Sequence, residues 1–152
     1  MFNTTSFRPL TPLFFTAVAI CFVTGCGKTH KVAQVRGKVI CKNGELPTTS
    51  IRLIRFQPTA DSKAVTRKGA SGTINDDGTF QLYTRKPGDG VHHGDYAVTF
   101  AFFEGATNQR SPIMAKYTSA ATTPYRVVIG DDVDDLKFEI ETIEGTSAKR
   151  RD

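Results

Sequence analysis

The sequence predicts an all-β fold, an antiparallel β-sandwich of about seven short strands. Three observations carry this. From about Gln34 onward the apolar residues recur with a period of two, and no long stretch repeats at three to four. Turn signals recur between the short apolar runs, drawn from 13 glycines and 7 prolines. No amphipathic helix interrupts the series, and sheets without helices bury their faces against one another. With 11 Phe, 4 Tyr and no Trp, the core is expected to consist of Phe, Val and Ile.

The strands follow in order. Val35, Gly37, Val39 and Cys41 alternate with Arg36, Lys38 and Ile40, so Cys41 is expected to point inward with the valines. Lys42-Asn43-Gly44-Glu45 is a turn, because Asn-Gly readily takes positive φ. Ile51 to Phe56 is the second strand, closed by Pro58. Its apolar set changes parity midway, which predicts a bulge or burial on both sides. Residues 72–84 read as a hairpin around Asp76-Asp77-Gly78, where Gly78 accepts the left-handed backbone that a side chain resists. A loop rich in Gly and Pro, Lys86 to Gly94, feeds the strongest strand, Asp95 to Phe103. Neither face of that strand is strongly polar, so it belongs in the middle of its sheet. Glu104 to Pro112 is a polar loop, and Ile113 to Tyr117 is at most a short edge piece. Tyr125 to Ile129, a turn over Gly130 to Asp135, and Leu136 to Glu141 complete the domain.

The amino terminus is read differently. Arg8 precedes the apolar run Leu13 to Val23, about 11 residues, where a membrane-spanning helix needs about 20. The run has the length of a signal-peptide core. Val23-Thr24-Gly25-Cys26 follows it and resembles the lipobox of bacterial lipoproteins, whose cysteine is acylated and becomes the first residue. The expected organisation is a lipoprotein signal peptide over 1–25, a tether over 26–33, the sandwich over 34–143 and a disordered basic tail over 144–152. Each buried methylene contributes about 0.8 kcal/mol, so the two or three fatty-acyl (palmitate-like) chains of a lipoprotein cysteine make attachment effectively permanent.

About 127 residues then remain, enough for one domain. Cys21 leaves with the leader and Cys26 carries lipid, so Cys41 is the remaining thiol. The fold is expected to stand on its core rather than on a disulfide. The formal charge is +5, about +4 once the leader with Arg8 is removed. The basic residues are dispersed apart from Lys149, Arg150 and Arg151, and no nucleic-acid motif accompanies them, so no nucleic-acid partner is expected. A composition of 39% hydrophobic and 23% charged residues excludes a polytopic membrane protein and a disordered acidic chain.

A succession of weak motifs carries a family resemblance. Val35-x-Gly37-Lys38-Val39, Gly44-x-x-Pro47, Ile54-x-Phe56-x-Pro58, Gly72-x-Ile74-x-Asp76-Asp77-Gly78-Thr79-Phe80-x-Leu82, Pro87-Gly88-Asp89-Gly90, Gly94-x-Tyr96-x-Val98 and Ala115-Lys116-Tyr117 resemble the carboxypeptidase regulatory-like, transthyretin-like lipoprotein domains of bacteria. The resemblance runs from about Val35 to Ile140, and the order of the motifs is more specific than any one of them. It implies a prealbumin-like sandwich in Greek-key order, immunoglobulin-like in its layering, exported and lipid-anchored. It carries over no catalytic residues, because the family has no established common activity. The related hydroxyisourate hydrolases end in Tyr-Arg-Gly-Ser, where this chain reads Lys149-Arg150-Arg151-Asp152.

Candidate chemistry is sparse. Asp131, Asp132, Asp134 and Asp135 offer oxygen ligands for Ca²⁺ but lack the EF-hand spacing, and a solvated turn is the simpler reading. His92 and His93 are adjacent, so on a strand they point to opposite faces and do not grip one metal together. No Gly-x-Ser-x-Gly elbow, phosphate-cradling loop or His-Glu-x-x-His helix occurs. No metal, cofactor or catalytic activity is therefore expected. Asp89, His92 and His93, in a stiff loop at the end of the sandwich, are the expected contact residues for a ligand or partner. The leading expectation is a lipid-anchored envelope protein, on an outer-membrane or periplasmic face, whose sandwich is structural or binds a protein partner. The alternative is a small-ligand or carbohydrate-binding domain using the loops 87–94 and 104–112.

Overall fold

A ten-residue strand, almost wholly buried on both faces, runs through the middle of the larger of two packed sheets. The computed structural model describes residues 31–42, 44–62, 66–105 and 110–143. The expected signal segment, Cys26, residues 26–30 of the expected tether, Asn43 and the expected tail 144–152 lie outside the described residues, as do residues 106–109 of the polar loop.

The strands are β1 (Val32–Ala33), β2 (Val35–Cys41), β3 (Ile51–Pro58), β4 (Ala70–Thr73), β5 (Thr79–Gln81), β6 (Val91–His92), β7 (Gly94–Phe103), β8 (Arg126–Ile129) and β9 (Val133–Ile140). Seven of them form two layers, ordered β5-β2-β9 and β4-β3-β7-β8, while β1 and β6 make a two-residue ribbon. The all-β sandwich is thus the observed architecture. β7 lies between β3 and β8, as its two apolar faces require.

Phe138 on β9 is the hub between the layers. Its ring lies 6.2 Å from Phe56 and 5.8 Å from Phe100 on the facing sheet, 6.1 Å from Phe80 on its own, and 5.1 Å from Tyr125. The contacts with Phe56, Phe100 and Tyr125 are edge-on and that with Phe80 is stacked, and such ring pairs add to the burial of the rings themselves. Val35, Val39, Ile54, Phe56, Phe102 and Ile140 fill in around them with no exposed surface.

Several local expectations are corrected. One ladder, β2 with β9, is parallel. These are the first and last long strands, and the whole domain between them supplies the crossover that a parallel pair needs. A register shift after Val35 leaves an extra residue on β9, a bulge that lets Val133 to Asp135 extend the strand where a turn was expected. The expected 72–84 hairpin divides between layers: β4 pairs with β3 while β5 pairs with β2, leaving the bridges Ser71↔Tyr83 and Ile74↔Phe80. Ile74, Phe80 and Leu82 all bury, so following both sheets satisfies the apolar residues better than a flat hairpin. Its turn forms as expected, with Gly78 at φ 84°.

β3 keeps an unbroken register, so its change of parity means burial on both sides rather than a bulge. Cys41 is half-buried, because it sits at the end of β2 where the layers open. Lys31 to Ala33 belong to the folded domain, with β1 paired to β6 two residues ahead of the expected boundary at 34. Ile113 makes a single antiparallel bridge to Thr142, no more than the short edge piece expected, and Ala115–Tyr117 then forms a 3₁₀ turn; Ile113 and Tyr117 are buried.

Candidate functional site

The Gly- and Pro-rich loop before β7 is held by one carboxylate. Asp89 accepts backbone N–H bonds from Thr84 at 2.8 Å, Arg85 at 2.9 Å and Lys86 at 3.1 Å. Partial desolvation pushes its pKa up, but those three donors outweigh it and hold the carboxyl below its ordinary 3.8. Gly90, at φ 74°, closes the turn so near the Ala33 carbonyl that a Cβ would lie 2.7 Å from that oxygen. The Tyr96 hydroxyl, desolvated by burial and therefore raised in pKa, donates to the His92 carbonyl at 2.7 Å. The His93 N–H donates to the Lys31 carbonyl at 3.3 Å.

Beside this loop a groove of about 1080 Å³ lies against the four-stranded sheet. Ala97 of β7, which pairs with Gln57 and Arg126, contributes to its floor. Pro58 to Asp61 and His93 to Asp95 form one side, and Ala120, Ala121 and Arg126 to Val128 the other. Each wall is braced. Ser62 Oγ accepts the Asp95 N–H at 2.9 Å, and the Thr59 N–H donates to the Asp95 carbonyl at 3.0 Å. The Arg126 guanidinium donates to the carbonyls of Ala120 at 2.9 Å and Thr123 at 3.0 Å. The buried Thr123 hydroxyl donates to the Val98 carbonyl at 2.6 Å. Arg126 therefore serves as a strut, its charge spread over carbonyl oxygens.

β8 forms the rim and is an end strand of its sheet. Val128 on it is 73% exposed. An end strand offers backbone donors and acceptors to an extended segment, and an exposed valine beside it offers apolar contact.

The three expected contact residues are brought to one end of the sandwich, but to different tasks. His93 lines the groove, His92 belongs to the β1–β6 ribbon, and Asp89 is turned into its own loop. The described residues of the polar loop, 104–105 and 110–112, do not join them. The loop follows the far end of β7, about 30 Å along the strand from Gly94 at about 3.3 Å per residue. In the acidic segment, Asp132 accepts the Gln34 N–H at 2.7 Å and Asp134 pairs with Arg36 at 2.9 Å, so both fix the start of β9 against β2. Among the described residues no three His, Cys, Asp or Glu side chains are grouped to hold a metal ion.

Sequence reasoning missed the rim and walls at 58–61, 120–121 and 126–128. They come from segments far apart in the chain, and the signal present was Val127-Val128, consecutive apolar residues in a strand that then proves to be at a sheet's end. Comparison with known protein families, with curated proteins and with solved structures returned no match.

Proposed function

We propose that this chain is a non-enzymatic, membrane-anchored envelope lipoprotein whose sandwich is a protein-interaction module of the carboxypeptidase regulatory-like, transthyretin-like kind. Acylated Cys26 holds it to the membrane, and β8 with the adjoining groove receives an extended segment of an envelope partner. One observation carries the second half of this reading: an end strand bearing a 73% exposed valine borders a braced groove of about 1080 Å³. The lipobox residues Val23-Thr24-Gly25-Cys26 support the first half, and seven principal strands in layers of three and four support the family reading.

A small-ligand reading is less well supported, because the loop 87–94 leads into the start of β7 while Glu104 and Gly105 follow its other end. A ligand in the groove would be held by His93 and the backbone rather than by both loops.

Site-specific photo-crosslinking in cells of the natural host tests the proposal. A photoreactive residue at Val128 is expected to give a discrete adduct with a second protein, and one at Lys137, exposed on the other sheet, to give none. Absence of an adduct at 128, or equal adducts at both positions, overturns it.

A further inference from the structure

We infer that the end of the sandwich carrying Lys31, Val32 and the Arg85–Gly88 loop tip rests against the bilayer surface, with the basic loop tip toward anionic phospholipid headgroups. The inference rests on the lipid-anchor reading of Cys26 and adds an orientation to it.

Chain length limits how far the anchor lies from the fold. The chain is tied to the fold from Lys31 onward, by the bond from the His93 N–H to the Lys31 carbonyl and by the pairs Val32↔His92 and Ala33↔Val91. Five Cα steps separate Cys26 from Lys31, which at full extension is about 18 Å. The strands run about 30 Å between the two ends of the domain. An anchor at Cys26 therefore keeps this end within reach of the headgroups, while the other end stands clear unless the domain topples.

The two ends also differ in what they present. Lys31, the first described residue, and Val32, Arg85, Lys86, Pro87 and Gly88 at the same end are all exposed. Gln34 Nε2 donates to the Gly88 carbonyl at 3.2 Å, which places the loop tip next to the segment that begins at Lys31. Asp89 keeps the tip in shape through its three backbone bonds. Asp131 and Asp132 stand on the other side of Gln34, on the β8–β9 turn, so the loop side is the one that an anionic surface attracts. The opposite end is of mixed charge, exposing Glu45, Asp77 and Glu104 together with Lys42, Arg110 and Lys116, with Asp76 paired to Arg52, and it offers no comparable basic tip. The short tether and the basic loop tip beside it thus favour one posture. His93 links the groove to the membrane-facing end, so a partner in the groove is met close to the bilayer.

Lysine footprinting on the full lipidated chain tests this. The protein is anchored to vesicles of phosphatidylethanolamine and phosphatidylglycerol, treated with a membrane-impermeant amine reagent, and compared with the same sample after the vesicles are dissolved in detergent. Flotation and the mass of the amino-terminal peptide are read on the same preparation. The expected result is flotation, an acylated Cys26, and several-fold protection of Lys31 and Lys86 on vesicles. Lys42, whose side chain is 64% exposed at the other end, should be unchanged. A chain that floats with Lys42 protected as much as Lys86 overturns the orientation alone. A chain that neither floats nor carries acyl mass overturns the anchor and the orientation together.

Discussion

On the side of the sandwich away from β4 and β5, the two sheets end in β9 and β8, and these two strands are treated in opposite ways. β9, at one end of the three-stranded sheet, is closed along its second half. The Tyr125 hydroxyl donates to the Glu139 carbonyl and accepts the Glu139 N–H at 3.2 Å, so one side chain satisfies both outward backbone groups. Ile113 bridges Thr142, the Met114 N–H donates to the Glu141 carbonyl at 3.0 Å, and the Ile143 N–H donates to the Pro112 carbonyl at 2.8 Å. Lys116 and Lys42 both reach Glu141, at 2.9 and 3.5 Å. β8, at the end of the four-stranded sheet, has a groove and an exposed valine instead. Open strand ends invite pairing with other chains, and a fold that covers one while leaving the other accessible concentrates that pairing at one place. The covering segment 113–125 runs directly into β8, so the residues that close one strand also position the other.

The largest expected effect comes from the ring behind the closed strand. Phe138→Ala removes the hub that touches Phe56, Phe80, Phe100 and Tyr125, and leaves a cavity between the layers. It should lower the unfolding free energy by about 3–5 kcal/mol, read as a lower urea midpoint at unchanged slope. Val128→Lys, on the open strand, should stay within about 0.5 kcal/mol of the parent and abolish the adduct formed by a photoreactive residue placed at Ala121, on the facing side of the groove. If the two substitutions cost the same, the contrast between the strands is wrong.

Tyr125→Phe probes the closed strand without touching its packing. The ring keeps its place against Phe138 and Tyr117, but Glu139 loses its partner. A net hydrogen bond of this kind is worth about 1 kcal/mol, and part is recovered from water because Glu139 is exposed. Hydrogen exchange at the Glu139 amide should quicken while amides of β7 keep their protection. Unchanged exchange at Glu139 would mean that the tyrosine does not guard the strand.

The closed strand shows what the sequence could and could not disclose. Alternation at Leu136, Phe138 and Ile140 made β9 legible, and the apolar run from Tyr96 to Phe103, interrupted by Thr99 alone, made the centre of the larger sheet legible, because burial by face is a local property of the strand. Which strand β9 would join was not, since the parallel pairing with β2 depends on contacts about a hundred residues apart. Tyr125 read as the start of a strand, and its reach across to Glu139 has no sequence period. Asp89 was legible as a notable loop residue, yet its part as the keystone of its own loop follows only from three backbone N–H groups converging on it. The groove has the same difficulty, being assembled from four separated segments around Ala97.

The smallest expected effect is a pH dependence that separates the two regions again. On the closed side, the hydrogen bond from Lys116 lowers the Glu141 carboxyl below its ordinary 4.5, against partial desolvation, with Lys42 adding to the lowering. At the groove loop, Asp89 lies below its ordinary 3.8. A carboxylate lowered in the folded state contributes stability that is fully present above its unfolded pKa and is lost as the pH falls through the folded value. Both contributions should therefore be intact at neutral pH and fade only in acid, below 4.5 for Glu141 and below 3.8 for Asp89. In amide spectra followed down in pH, the Thr84, Arg85 and Lys86 signals should move with Asp89, and the Lys116 signals with Glu141. Asp89→Asn should flatten the first set alone, and Glu141→Gln the second alone. If either substitution flattens both sets, the groove loop and the closed strand respond as one unit, and the independence on which the contrast depends is lost.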